Sequence, residues 1–141
     1  MNGTTLTLYL DIGLTNLKVT ALVDGTVVYE HGTLFPAGRV YDEAVAAGVD
    51  VADGGPVDLK NVSLTDTMFS PSAIGLEQEG IHRMLYSDYV KLRVELRDIR
   101  AVNVVISGDI GGQDAIATRL QTELTALFPA DVAVQVTVAD G

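Results

Sequence analysis

The stretch Thr5-Leu6-Thr7-Leu8-Tyr9-Leu10-Asp11-Ile12-Gly13-Leu14-Thr15-Asn16-Leu17-Lys18 decides the fold. Leu6, Leu8, Leu10 and Ile12 alternate with Thr5, Thr7, Tyr9 and Asp11, the period of two that marks a strand with one apolar face. Gly13 permits a tight turn just past Asp11. A second strand, Leu17 to Val23, then returns and ends at Asp24-Gly25, a two-residue hairpin signal. Thr26 to Tyr29 reads as a third strand pairing back on the second. The tip of the first hairpin gathers a carboxylate (Asp11), a hydroxyl (Thr15), an ammonium (Lys18) and several backbone N–H groups. Such a set suits a phosphate and its metal ion. The plainer alternative is a hairpin whose Asp and Gly serve the turn alone.

Downstream the pattern loosens from about Gly32 to Gly80, an irregular insert punctuated by Pro36, Gly38, Gly48, Gly54, Gly55 and Pro56. A short helix is expected over Tyr41 to Ala47 and a short strand within Val57 to Met68. Clean periodicity returns at Ile81. Leu85, Tyr89, Leu92, Leu96 and Ile99 recur at helical spacing and predict one helix reaching Arg100, with Asp88, Lys91, Glu95 and Arg97 off its apolar stripe. Arg97 and Arg100 then suit the negative end of the helix dipole. The basic cluster Arg83, Lys91, Arg93, Arg97 and Arg100 reads as a solvated helix face rather than a binding patch. Ala101 to Ile106 is a continuous apolar run, the pattern of a strand buried on both faces. A glycine-rich turn, Ser107 to Asp114, leads into a second helix with Ile116, Leu120, Leu124 and Leu127 on one face and Pro129 beyond it. Val132, Val134, Val136 and Val138 alternate in a last strand. Strand, helix and strand in that order imply a right-handed crossover and parallel pairing.

A chain of 141 residues that is 48% hydrophobic is expected to form one domain with a genuine core. Its formal charge of −10 provides no electrostatic footprint for DNA or RNA, so nucleic acid is not expected as a partner. With no cysteine, disulfides, thiolate metal sites and a Cys nucleophile are excluded. No apolar run approaches the ~18–20 residues of a membrane span. The Met1-to-Thr5 start lacks a charged region before an apolar one. The expectation is a cytoplasmic protein with no membrane partner. His31 and His82 have no spaced partner and are expected to face solvent or cap elements. Ser107 lacks the frame of a nucleophile elbow.

Asp11-x-Gly13-x-Thr15-x-x-Lys18 resembles the first phosphate loop of the acetate kinase, sugar kinase, heat-shock chaperone and actin superfamily. It is most similar to that of the carbohydrate kinases and the ATP-dependent activators of radical and corrinoid enzymes. Three antiparallel strands followed by two parallel ones resemble the ribonuclease H-like fold, which is also the half-domain of actin-like ATPases. The fold expected is therefore α/β, a single ribonuclease H-like domain over residues 1–141 with a five-stranded mixed sheet and flanking helices. The resemblance implies ATP or ADP with Mg²⁺ as cofactors, and Asp11, Gly13, Thr15, Asn16 and Lys18 as phosphate-loop residues.

Asp109 to Asp114 is similar to the second phosphate loop of the activator ATPases, yet its flanks look like the superfamily's adenosine-binding segment. A glycine-rich turn between a strand and a helix offers N–H groups to an anion. Gly108, Gly111, Gly112 and Gln113 are accordingly further cofactor-binding candidates; the alternative is a turn that needs glycine for close packing. In a sheet of order 3-2-1-4-5 the first and fourth strands are neighbours. Asp11 and Asp109 would then share one edge as ligands of Mg²⁺, with Asp109 poising the attacking water or hydroxyl.

Superfamily members hold nucleotide between two domains, so this chain is expected to supply one wall and to work with a partner subunit or dimer mate. Val134, Val136, Leu92 and Leu96 are the candidate contacts, unless all four belong to the chain's own core. Two other functions stay open. One is a non-catalytic assembly or regulatory subunit of the same fold. The other is a metal-dependent nuclease like the Holliday-junction resolvases, with Glu43 and Asp140 as further ligands.

Overall fold

The structure, a computed structural model, describes residues 3–36, 39, 64–70, 79–96, 98–108 and 114–139. The alternation that opens the chain becomes β1 (Thr4–Ile12), with Leu6, Leu8, Leu10 and Ile12 buried on one face. β2 (Asn16–Val23) and β3 (Thr26–Leu34) follow antiparallel. Asp24 and Gly25 between them both take positive φ, as a two-residue turn matched to strand twist requires. The remaining elements are α1 (Leu64–Phe69), α2 (Ile81–Glu95), β4 (Ile99–Ser107), α3 (Asp114–Leu127) and β5 (Ala133–Val138). The sheet order is β3-β2-β1-β4-β5, with β1–β4 and β4–β5 parallel. This is an α/β fold with a five-stranded mixed sheet and flanking helices, in the strand order expected of a ribonuclease H-like topology.

The core lies on one face of the sheet. Ile81, Leu85, Tyr89 and Leu92 of α2 and Ile116, Leu120 and Leu124 of α3 pack with Leu8, Leu10, Val19, Val104 and Ile106. Phe128 stacks on Tyr89 with ring centroids 4.4 Å apart, which joins the end of α3 to α2. Gln121 of α3 reaches the backbone of β5, donating to Val134 O at 2.9 Å and accepting from Val136 N at 2.8 Å. Its amide thereby occupies part of an edge strand that would otherwise offer free hydrogen-bonding groups. On the opposite face Thr5, Tyr9, Asp11, Lys18, Asn103, Gln135 and Thr137 are exposed. Among the described residues no helix is long and apolar enough to cross a membrane.

Several expectations are corrected. The helix from Ile81 stops at Glu95: Leu96 is extended at φ −95° and ψ 107°, and Asp98 takes φ +61°. Asp tolerates this left-handed conformation better than most residues. Its carbonyl accepts Thr4 N–H at 2.8 Å, while its carboxylate accepts Arg100 Nε at 2.6 Å. Ile99 is therefore buried as the first residue of β4, not as the last of a helical stripe. Arg100 sits in the strand beside Asp98 and Asp131, not at a helix end. β4 buries one face only, with Val102, Val104 and Ile106 inward and Asn103 exposed. Asp88 is on the apolar stripe rather than off it, because Ile81, Leu85, Asp88 and Leu92 also follow helical spacing. His82 is buried rather than solvent-facing. In the insert, Gly32 to Leu34 belong to β3 and Leu64–Phe69 is helical, while the rest of the stretch in which a short strand is expected, residues 57–63, lies outside the described residues. The helix expected over Tyr41 to Ala47 lies outside the described residues.

Candidate phosphate site

Parallel pairing of β1 with β4 sets Asp11 beside Ser107, so the carboxyl ends of both strands finish at one edge of the sheet. Antiparallel pairing of β1 with β2 sets Lys18 opposite Asp11, and β2 with β3 sets Gly32 opposite Lys18. Because side chains alternate across a strand, Asp11 and Lys18 rise from the same exposed face. Neither forms a salt bridge among the described residues, so both charges are available to a ligand.

The loop between β1 and β2 is held from several sides. Gly13 N–H donates to Asn16 O at 2.9 Å, and Thr15 Oγ1 donates to Asn16 Oδ1 at 2.7 Å. Beyond β3, Phe35 N–H donates to Thr15 O at 2.7 Å and Arg39 N–H to Leu14 O at 2.9 Å. The chain beyond β3 thus braces the loop through the carbonyls of Leu14 and Thr15. Gly108, just past β4, takes φ +95°, and a Cβ there would collide with Asp11 Oδ1 and the Ile12 backbone. Only glycine lets the β4 turn approach the Asp11 carboxylate this closely.

These residues surround a pocket of about 950 Å³ lined by Asp11, Gly13 to Lys18, Gly32 to Leu34 and Gly108. Of the expected site residues, Asp11, Gly13, Thr15, Asn16, Lys18 and Gly108 are thus brought together. Asp109, Gly111, Gly112 and Gln113 lie outside the described residues, as do Glu43 and Asp140. Gly32, Thr33 and Leu34 form a wall that the sequence pattern did not indicate. Its only trace is the register that puts Gly32 against Lys18.

An exposed carboxylate with an unpaired lysine opposite fits Mg²⁺ held through water beside a phosphate, since Mg²⁺ takes one or two carboxylates and keeps several waters. The described residues contain no group of three or more His, Cys, Asp or Glu able to hold a metal. Three of the four carboxylates named for a nuclease centre, Glu43, Asp109 and Asp140, lie outside those residues. Leu92, one of the four residues named as partner contacts, is buried, and Leu96, Val134 and Val136 pack against the chain's own core.

No family model matches the chain. Over 80 residues, 57% of the chain, it is 28% identical to "Actin-like protein arp5" of Schizosaccharomyces pombe. Over 71 residues, 50% of the chain, it is 27% identical to "Putative actin-29" of Dictyostelium discoideum. The matched stretches cover 11% and 18% of those two proteins, well under two thirds of their length. Both are partial likenesses to actin-like proteins.

Proposed function

We propose that this chain binds the phosphates of ATP or ADP with Mg²⁺, as one wall of an actin-like ATPase-type site. The observation that carries the proposal is the meeting of Asp11, Lys18 and Gly108 where β1 and β4 end and β2 begins, around one pocket. The partial likeness to actin-like proteins supports it. Lys18 places its ammonium on the phosphates as a point charge. The N–H groups of the loop and the Thr15 hydroxyl add directed hydrogen bonds. Asp11 orients Mg²⁺ through water, and Asp109 is the candidate to poise the attacking water or hydroxyl. Little covalent chemistry falls to the protein in phosphoryl transfer, which runs on positioning and charge stabilisation. A partner subunit or a second copy supplies the opposite wall, because a half-open cleft leaves much of a nucleotide in water.

Calorimetric titration with ADP or ATP tests this. Binding to the chain alone is expected to be weak and to require Mg²⁺. Lys18→Ala or Asp11→Asn is expected to weaken it by about tenfold or more, the size of a lost charge-assisted contact. Equal affinity in the two variants and the wild type would refute the assignment.

A further inference from the structure

Asp88 is the side chain the phosphate site leaves unexplained. It sits on the apolar stripe of α2 between Leu85 and Leu92 and is 1% exposed, yet it is a carboxylate. Both of its partners come from β3. Tyr29 Oη donates to Oδ1 at 3.2 Å, and His31 Nδ1 lies 3.4 Å from Oδ2. A carboxylate taken out of water is tolerated only with such partners, and losing them is strongly unfavourable.

The place of the contact gives it a use. Among the described residues β3 is an edge strand, held in the sheet by β2 alone. Its pairing with β2 shifts register between Ala21 and Leu22, which leaves Val28 without a partner and loosens the ladder there. Tyr29 and His31 follow this bulge directly, and beyond them come Gly32, Thr33 and Leu34 of the pocket wall. Phe35 then donates its N–H to the carbonyl of Thr15. We propose that Asp88 is a positioning residue for the phosphate loop. It ties Tyr29 and His31 to α2, fixes the far half of β3, and through Phe35 holds Thr15 in place. The proposal rests on the reading of that loop as a phosphate site.

Amide hydrogen exchange on the full chain tests it, since exchange reports local opening. In Asp88→Leu the Phe35 amide is expected to exchange about tenfold faster or more, the worth of a hydrogen bond to a charged group. The amides of Leu8 and Val104 in the central ladder keep their wild-type rates. Asp88→Asn retains an acceptor for Tyr29 and stays within about threefold of wild type. Affinity for Mg²⁺·ADP falls in Asp88→Leu and is largely restored in Asp88→Asn. An unchanged Phe35 rate overturns the proposal. So does a Phe35 rate that rises only in step with Leu8 and Val104, because a merely structural role moves all three together. Should Asp88→Leu fail to fold, Tyr29→Phe carries the same comparison, with selective acceleration at Phe35 expected. If the wild-type chain binds no nucleotide but shows this exchange pattern, the phosphate reading fails and the anchoring role stands.

Discussion

Gly108 shows how much of the site depends on one missing side chain. At φ +95° it occupies backbone space that L residues rarely adopt, and its Cα faces the Asp11 carboxylate and the Ile12 backbone. Gly108→Ala would add both left-handed strain and a collision with backbone atoms that cannot step aside. The expected cost is about 2 kcal/mol or more in denaturant unfolding, together with loss of the proposed phosphate binding as Asp11 is displaced. A variant as stable as wild type would show that the turn relaxes freely. Asp11, Gly13, Thr15 and Lys18 were legible in the sequence because a strand end followed by a glycine turn fixes their common position. Asp88 is harder to read, because its acidity points to solvent while its spacing from Leu85 and Leu92 places it on the buried stripe. Gly32 to Leu34 are not legible in the sequence, because their place beside the pocket arises from the register of β3 on β2, and that register contains a bulge.

At the scale of elements, α2 enters the core in close contact with α1. A Cβ on Gly80 would strike the Phe69 carbonyl and the His82 ring, and His82 packs on Phe69 with ring centroids 5.3 Å apart. His82 is buried, with Nδ1 lacking a hydrogen-bond partner among the described residues. Burial pushes its pKa below the ordinary 6.5; Glu123 opposes this, while Arg83 and Arg119 reinforce it. The neutral ring is thus the form the fold accepts, and the unfolded chain binds the proton more readily. This contribution to stability is complete above the unfolded value and is lost as pH falls through 6.5 towards the lower folded pKa. Thermal melting is therefore expected to drop between about pH 7.5 and about pH 5.5, and to drop less in His82→Leu, which removes the titrating ring. Identical pH slopes in the two proteins would contradict this. The elements themselves were largely readable, since one-sided burial imposes period two on β1 and β5 and helical period on α3. The end of α2 was not, because the spacing of Leu92, Leu96 and Ile99 continues across the turn at Asp98 by coincidence of two different burials.

At the scale of the whole molecule, one sheet face carries the core and the other presents exposed side chains, with the proposed phosphate pocket at the carboxyl edge of β1 and β4. At the opposite edge, a cleft of about 400 Å³ holds Arg93 and Arg100, the latter already paired with Asp98 and Asp131. The overall order was legible in the sequence because strand, helix and strand allow few connections of the right hand. The meeting of two distant loops at one edge follows from that order, and the proposed nucleotide binding depends on it. Amide chemical-shift mapping during a titration with Mg²⁺·ADP tests this most directly. The account predicts perturbations concentrated at Gly13 to Lys18 and at Gly108, dependent on Mg²⁺ and lost in Lys18→Ala. Shifts concentrated at Arg93 and Arg100, or no response of the loop at saturating nucleotide, would contradict it.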